Sequence, residues 1–413
     1  MLVIRALYGL KSSGARWHKK LAASLRDMGF KVCKADYDFW IREVIPGELY
    51  EYIAVIVDDL LIFSRNPETI IQPLREIYGY ELKSVGVPEY YNGADIEYDK
   101  KANCWTMSAK TYIKNVTSKI ETLLNVNLKS YGSPMLCGDH PEMDESDFLY
   151  GKDIAVYQML IGCAQWAVTL GRFDVQYATN TLARYAAKPR EGHLARVLRL
   201  FGYLKHNAKA KIYLDPTDLP YDSLVMAEDQ DWSDIYPDAE EAMPDDCPDP
   251  MDLNIQTGIM LDASHGSDLE TRRSVTGYLF VLGRAPIRWY SKRQSTVESA
   301  TYGSELVATR IAVEGAIDLR YKLRMMGIGV KKSTILCIDN KSVVYNSSFP
   351  SSTLKKKHNS VAYHKCREAV AAGIVRTAHI DGHWNVSDIL TKPKGEADYY
   401  RLLRNIMYRR QET

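Results

Sequence analysis

Two adjacent carboxylates, Asp58 and Asp59, interrupt a strongly apolar stretch near the start of the chain, "EYIAVIVDDLLIFS". Residues 53–57 before them and 60–63 after them are short apolar runs of the kind that favours β-strands. The pattern therefore predicts a β-hairpin with both acids at its turn. Two neighbouring acids are also typical of an ordinary exposed turn, so this pair alone identifies no activity.

Four more acids lie at the boundaries of predicted elements in the C-terminal third of the chain. The strand-like run 258–261 is followed by Asp262, the helical pattern 301–326 has Glu305 in its first turns, the strand "TILCID" ends at Asp339, and "NVSDILTKP" contains Asp388. Strand ends and a facing helix can converge, and acids gathered there repel one another unless cations neutralise them. Oxygen ligands favour Mg²⁺ or Mn²⁺, and two such ions about 4 Å apart can promote hydrolysis of a phosphodiester.

Each of these acids also has a plain structural explanation. An Asp after a strand is commonly a turn residue or a helix cap, and Asp388 could cap the segment that follows it. Glu305 is equally consistent with the solvated face of its helix. Position alone leaves the structural and the catalytic interpretations open.

Composition bounds the class of protein. The chain has 413 residues, 46% of them hydrophobic, and a formal net charge of +1, which predicts two or three globular domains and neither favours nor excludes a polyanionic partner. Its seven cysteines form no C-x-x-C pair, so a zinc knuckle or disulfide framework is not indicated and a reducing compartment is favoured. No apolar run reaches the roughly 20 residues that span a bilayer. We therefore expect an intracellular protein without membrane contact.

Hydrophobic periodicity divides the chain into regions. One helix is predicted within residues 16–29, and a second after Asn66, where Pro73 must kink or shorten it. Residues 154–206 have a helical pattern throughout. Residues 222–252 carry many acids, no Lys or Arg and four prolines, a composition that resists packing and predicts a linker or surface excursion. Alternating strand and helix patterns follow, which predict an α/β domain.

The sequence around the four C-terminal acids closely resembles the RNase H domain of copia-type LTR retrotransposon polyproteins. The matching motifs, in order, are "DASHGSDLETRRSVTGYLF", "RWYSKRQSTVESATYGSELVA", "IDNKSV", "KKKHNSVAYHKCRE" and "SDILTKP". The resemblance implies that Asp262, Glu305, Asp339 and Asp388 hold two Mg²⁺ or Mn²⁺ ions for cleavage of the RNA strand in an RNA–DNA hybrid. It also implies that His383, in "IDGHWN", is a flexible-loop histidine that assists metal turnover or product release; a plain surface histidine is an equal alternative.

The N-terminal region resembles copia reverse transcriptases, on the segments "ALYGLKSSGARWHKKLAASLRDMGF" and "VIVDDLLIFS". In that family the hairpin lies in the palm and its acids face the primer end, which implies that Asp58 and Asp59 bind metal beside a primer–template. The family's third carboxylate lies on a strand upstream of "LYGLK", and this chain starts only a few residues before that segment. Ser12 also stands where many relatives have Gln. We therefore expect no polymerase activity from this chain alone.

These observations predict an α/β chain in five parts. They are a partial reverse transcriptase with palm and thumb at 1–130, a helical thumb or connection region at 131–215, an acidic linker or insertion at 216–257, an RNase H-like domain at 258–395 and a C-terminal helix or tail at 396–413. The expected function is RNase H-type cleavage by part of a Pol polyprotein, with the rest of that polyprotein or an element particle as partner. The expected location is the cytoplasm, in a virus-like particle, or the nucleus.

Two other functions compete with this expectation. A DNA-cutting transposase of related fold is disfavoured by the reverse transcriptase hairpin and by the fourth acid, since transposases typically use three. A catalytically silent remnant that only binds nucleic acid is the alternative from a different class. Metal-dependent cleavage distinguishes the enzyme from the remnant, whose binding would merely weaken with salt.

Overall fold

The computed structural model describes residues 11–219, 224–251, 255–330 and 332–408. The chain divides into two compact units, each assembled from separate stretches of sequence. The first unit comprises residues 1–92, 243–254 and 318–331, and the second comprises residues 93–242, 255–317 and 332–413. No helix within the described ranges is long and apolar enough to cross a membrane.

A four-stranded antiparallel sheet forms the centre of the first unit. Its elements are α1 (Ser13–Asp27), the strands β1 (Lys31–Cys33), β2 (Asp36–Ile45), β3 (Leu49–Ile56) and β4 (Asp59–Phe63), then α2 (Glu68–Glu76) and the short β5 (Tyr90–Tyr91). Just after α1, Gly29 has a φ of 85°, which glycine adopts without steric cost. Buried side chains of the helices pack with those of β2 and β3, among them Leu21, Leu25, Trp40, Ile53, Ile70 and Leu74. The predicted helix and hairpin are confirmed.

Helices dominate the first half of the second unit. The strands β6 (Ala94–Asp99) and β7 (Cys104–Ser108) precede α3 (Lys110–Leu124), α4 (Lys152–Thr169), α5 (Gln176–Ala183), α6 (Glu191–His206) and β8 (Lys211–Leu214). β8 pairs antiparallel with β7. The helices α4 to α6 coincide with the region predicted to be helical, residues 154–206. Their apolar residues are buried, as at Leu160 on α4 and Leu200 on α6, which explains why the periodic pattern was informative.

A six-stranded mixed sheet forms the C-terminal half of this unit. Its strands are β9 (Val225–Met226), β10 (Thr257–Ser264), β11 (Val275–Leu282), β12 (Ala285–Arg293), β13 (Thr334–Ile338) and β14 (Val375–His379), in the spatial order β12-β11-β10-β13-β14-β9. β10, β13 and β14 run parallel, whereas β11, β12 and β9 pair antiparallel with their neighbours. The helix α7 (Thr301–Met325) connects β12 to β13, α8 (Lys341–Ser348) and α9 (Ser360–Ala371) connect β13 to β14, and α10 (Glu396–Met407) follows. The predicted mixed α/β class is confirmed.

The acidic segment is anchored by its few apolar residues. In the second unit, Trp232 is 8% exposed and lies under the guanidinium of Arg367, 4.8 Å from the ring centroid. Nearby, the hydroxyl of Tyr236 is 2.7 Å from Nδ1 of His364. In the first unit, Met251 is 8% exposed and packs with Tyr50. The segment is therefore an excursion held at defined points, which its average composition did not indicate.

One hydrophobic core joins α3 to α6 with β11 and α10. Within the same unit, Arg172 donates to both carboxylate oxygens of Asp174, at 2.9 and 2.6 Å, and the two side chains are 1% and 0% exposed. The hydroxyl of Tyr399 on α10 donates to the Asp174 carbonyl. The predicted boundaries at residues 130, 215, 257 and 395 stay predictions.

Candidate active site

Three of the predicted acids meet at one end of the mixed sheet. Asp262 lies on β10, Asp339 directly follows the neighbouring parallel strand β13, and Glu305 lies in the second turn of α7. Each offers a carboxylate oxygen within 4.8 Å of those of the other two. Asp262 and Glu305 are only 2% and 3% exposed, and Asp339 is half-buried. The convergence expected from strand ends and a facing helix is therefore present in the structure.

The carboxylates are held where their negative charge is unfavourable. Burial raises the pKa of Glu305 to about 9, and the charges of Asp262 and Asp339 add to this effect. Burial also raises the pKa of Asp262 to about 6; Lys392 opposes the shift, and nearby acids strengthen it. The pKa of Asp339 is raised too, first by burial and then by Asp388. Such a cluster is stabilised by a bound cation or by protons.

The bonding pattern of Glu305 fits a cation ligand. Its Oε1 accepts a hydrogen bond from the backbone N–H of Ala263, at 3.3 Å, whereas Oε2 is buried and has no hydrogen-bond partner. A buried acceptor without a hydrogen-bond partner costs free energy unless a water molecule or an ion satisfies it. Three carboxylates with one free buried oxygen are the donor set expected of a Mg²⁺ or Mn²⁺ site. The residues present therefore fit the divalent cation that the resemblance implies.

A cleft of about 510 Å³ opens over the three acids. Besides the acids, its lining consists of Ala263, Ser264, His265, Ser267, Thr301, Asn340 and Lys392. Asn340 accepts hydrogen bonds from the backbone N–H groups of Ser342 and Val343 and so caps α8. The cleft is therefore polar, and its charged groups are the three acids and one lysine.

The fourth predicted acid, Asp388, lies beside this cluster and is bound by lysines. It lies on a short 3₁₀ segment, Val386–Leu390, that packs against β10 and β11. Lys392 approaches one of its oxygens to 2.6 Å and Lys394 the other to 2.5 Å. Lys392 also lies 3.4 Å from Oδ2 of Asp262. Asp388 is thus near the site electrostatically, but it is outside the group of three within 4.8 Å.

A glycine lets this 3₁₀ segment lie close to the sheet. Gly277 on β11 is directly opposite Asp262 on β10. A Cβ at Gly277 would lie 2.7 Å from Cβ of Leu390 and 2.7 Å from Cγ2 of Thr391. Thr391 donates its hydroxyl hydrogen to Oδ2 of Asp262. The missing side chain at residue 277 therefore permits the contact that orients Asp262.

His383 lies next to the site without entering it. It is exposed, its backbone N–H is bound by the carboxylate of Asp381, and its ring is 5.0 Å from that of Trp384. Its neighbour Gly382 is the closer residue, since a Cβ there would lie 3.3 Å from Oδ2 of Asp339. The imidazole is not part of the cleft lining, so the predicted role in product release stays a prediction.

Asp58 and Asp59 are at the tip of the hairpin in the first unit, as predicted. Asp59 pairs with Ile56 across the strands, and both acids are exposed. Val57 has a φ of 57°, an unusual conformation for a β-branched residue, and Trp17 donates its indole N–H to the Val57 carbonyl at 2.8 Å. Among the described residues no third metal-binding side chain joins these two acids.

Sequence reasoning missed the residues that hold the acids in place. Lys392 and Lys394 follow Asp388 by four and six residues in "SDILTKPK", a spacing that could have suggested ion pairing on a short turn. Thr391 lies in the same motif. Asn385 gave no signal, yet it is fully buried and donates to the Leu261 carbonyl at 2.8 Å. These contacts connect the 3₁₀ segment to β10.

The fold and the site define an α/β protein with a candidate divalent-cation centre, and comparisons with known proteins show what the chain is similar to. Residues 2–135 match the family described as reverse transcriptase (RNA-dependent DNA polymerase). The chain is 24% identical over 393 residues, 94% of its length, to the retrovirus-related Pol polyprotein from transposon RE1 of Arabidopsis thaliana, of which it covers 24%. It is 26% identical over 294 residues to a transposon Ty5-1 protein of Saccharomyces cerevisiae, covering 70% of this chain and 80% of that protein.

Over most of its length the chain is therefore similar to the Pol polyproteins of copia-type transposons, and residues 2–135 match the reverse transcriptase family. This confirms the predicted resemblance. The chain spans about a quarter of the length of the Pol polyproteins it matches. Among solved structures, the N-terminal RNase H domain of rv2228c from Mycobacterium tuberculosis, fused with maltose binding protein, is similar over 37% of this chain and 99% of that chain, at 12% identity and a TM-score of 0.26.

Proposed function

We propose that the second unit is an RNase H-type nuclease that hydrolyses the RNA strand of RNA–DNA hybrids with divalent metal ions. The observation that carries the proposal is the convergence of Asp262, Glu305 and Asp339 in one open cleft, where the buried Oε2 of Glu305 has no partner. An ordinary structural role would give each buried carboxylate oxygen a hydrogen-bond donor or a lysine, whereas Oε2 of Glu305 has neither. Here two of the three are almost fully buried.

Asp262, Glu305 and Asp339 are the residues that would hold the ions. When bound, Mg²⁺ lowers the pKa of a water molecule and stabilises the charge that develops on the leaving oxygen of a phosphodiester. The protein's own contribution is to fix the ligands. Thr391 orients Asp262 by donating to Oδ2, and the backbone N–H of Ala263 orients Glu305. In this partly buried site the attraction between ionised carboxylates and a divalent cation is stronger than it would be in water.

The proposed substrate class is supported by the polar cleft and by the match of residues 2–135 to the reverse transcriptase family. Polymerisation on an RNA template produces an RNA–DNA hybrid, which the nuclease would consume. RNase H-type recognition uses hybrid shape and 2′-hydroxyls, so little sequence preference is expected. The proposed partners are the hybrid, a primer–template and the rest of a Pol polyprotein, and the proposed location is a cytoplasmic virus-like particle or the nucleus.

For the polymerase site we propose that the 413-residue chain does not extend primers by itself. Asp58 and Asp59 form an exposed pair, and the described residues supply no third carboxylate to them. Loss of one ligand from a cooperative metal site removes most of the activity. Primer extension by the purified chain on a primed RNA template tests this proposal, and any templated extension contradicts it.

His383 is proposed to assist product release, because Gly382 beside it lies against Asp339. A His383→Ala variant should slow multiple-turnover cleavage and leave the single-turnover rate nearly unchanged. If the variant has the wild-type rate in both assays, His383 is an ordinary surface residue without a role in product release.

The test of the nuclease proposal is Mg²⁺-dependent cleavage of a hybrid with a labelled RNA strand. Wild type, Asp339→Asn and a control, Asp153→Asn, are compared; Asp153 is an exposed acid on α4 outside the cleft. We expect cleavage by wild type and Asp153→Asn and a loss of at least about 10³-fold in Asp339→Asn. If the folded wild type binds the hybrid in a salt-sensitive manner but leaves the RNA whole, the chain is a silent remnant.

A further inference from the structure

The ammonium of Lys392 lies between two of the acids implicated in catalysis. Its Nζ is 2.6 Å from Oδ1 of Asp388 and 3.4 Å from Oδ2 of Asp262. Lys392 reaches the cleft lining, and its side chain is 37% exposed. The second oxygen of Asp388 is bound by Lys394 at 2.5 Å. Both oxygens of Asp388 are therefore already paired with cations.

The site consequently has two positions for positive charge, and the two differ. The first is bounded by Asp262, Glu305 and Asp339, and the free Oε2 of Glu305 belongs to it. The second lies between Asp262 and Asp388 and contains the Lys392 ammonium. Asp262 is shared by both. A divalent ion could enter the first position without displacing a lysine from Asp388, whereas an ion bound by both Asp262 and Asp388 competes directly with Lys392.

We propose that Lys392 is an internal counter-ion that holds the second cation position until a divalent ion displaces it. The inference rests on the proposed function, since it assumes that divalent ions bind here. Its consequence is that the two positions fill at different ion concentrations. An ammonium and a divalent ion about 4 Å apart repel each other strongly in a partly buried site, so both cannot occupy the second position.

Displacement also gives the substrate a means of controlling ion loading. Lys392 lines the cleft in which a phosphodiester would lie. A phosphate there offers the ammonium a new anionic partner, so substrate binding favours its departure from Asp388. The second ion would then bind more tightly when a hybrid is present.

Lys394 provides a matched control, because it contacts Asp388 alone among the acids of the site. Its Nζ is bound to Oδ2 of Asp388, and no ion pair joins it to Asp262 within the described part of the chain. Removing Lys394 therefore changes the charge near Asp388 without opening the position between Asp262 and Asp388. Comparing substitutions of Lys394 and Lys392 therefore separates a general loss of positive charge near Asp388 from the specific displacement of Lys392 by a divalent ion.

The experiment is titration of the metal-free chain with Mn²⁺ alone, followed by calorimetry and by electron paramagnetic resonance of the free ion. Wild type, Lys392→Met, Lys392→Arg and Lys394→Met are compared. We expect one stronger and one weaker site in wild type, and a weaker site whose Kd falls at least about tenfold in Lys392→Met. Lys392→Arg should behave like wild type, and Lys394→Met should change less than Lys392→Met. Unchanged binding in Lys392→Met, or an equal change in Lys394→Met, overturns the inference.

A second measurement on wild type covers the case in which Lys392→Met does not fold. Reductive methylation of lysines, read by mass spectrometry, is compared in chelator and in saturating Ca²⁺, with the exposed Lys355 as internal reference. Methylation of Lys392 relative to Lys355 should rise when the ion is bound. An equal ratio in both conditions contradicts displacement.

These experiments distinguish a failure of the counter-ion inference from a failure of the nuclease proposal. If Mn²⁺ binding shifts as expected but wild type cleaves no hybrid, the nuclease proposal is wrong and the counter-ion remains a property of the cation site. If wild type cleaves the hybrid and Lys392→Met binds Mn²⁺ as wild type does, the nuclease proposal stands and Lys392 is only a structural ion pair.

Discussion

The substitution Glu305→Gln should make the metal-free protein less sensitive to pH. The pKa of Glu305 is raised from 4.5 to about 9, mainly by burial. Between these values the folded chain keeps a proton that the unfolded chain has released, so the free energy of unfolding falls as pH rises. At about 1.4 kcal/mol per pH unit, the loss attributable to Glu305 between pH 4.5 and pH 7.5 is at most about 4 kcal/mol. A glutamine has no proton to release and removes this loss.

The assay is urea unfolding in chelator at pH 5 and pH 7.5. The free energy of unfolding of wild type should fall by about 1–3 kcal/mol more than that of Glu305→Gln over this interval. The control is Glu314→Gln, an exposed acid on the same helix, which should follow wild type. Mg²⁺ should stabilise wild type at pH 7.5 and stabilise Glu305→Gln much less, because ligand binding to the folded state adds to stability. Equal pH dependence in wild type and Glu305→Gln would refute the reasoning.

Three further substitutions probe the scaffold. Asp174→Asn leaves the buried Arg172 guanidinium without its charge partner and should cost about 3–5 kcal/mol in urea unfolding; a cost below about 1 kcal/mol would contradict this. Val57→Gly relieves a φ of 57° and should raise stability by up to about 1 kcal/mol after the entropy cost of glycine, whereas a clear loss would argue against strain. Gly277→Ala places a methyl group 2.7 Å from Cβ of Leu390 and should cost about 1–3 kcal/mol and slow RNA cleavage; unchanged cleavage would show that this close approach does not matter to the site.

Elements with a clear local pattern could be predicted from the sequence. The stripe of Leu21 and Leu25 on α1 and the two apolar runs around Asp58 encode their own structure, because burial of one face is decided by residues close in sequence. Long-range packing could not be predicted in this way. Trp232 lies in an acidic, proline-rich segment, and its contact with Arg367 joins residues more than a hundred positions apart.

The same distinction between local pattern and long-range packing applies to the candidate site. Asp262, Glu305 and Asp339 could be named because each follows or begins a recognisable element and matches a family motif. The pairing of Asp388 with two lysines was not predicted, since it depends on how a 3₁₀ segment folds back onto β10 and β11. That return depends in turn on the absence of a side chain at Gly277. A single glycine in a strand does not reveal which segment approaches it.

The most direct test is strand-resolved cleavage by the wild-type chain. A hybrid with different labels on its RNA and DNA strands is incubated with Mg²⁺ or with chelator, beside an all-DNA duplex of the same sequence. We expect Mg²⁺-dependent fragments from the RNA strand only, with the DNA strand and the DNA duplex intact. A folded chain that leaves the RNA whole in Mg²⁺, or that cuts the DNA duplex as readily, would contradict an RNase H-type assignment of Asp262, Glu305 and Asp339.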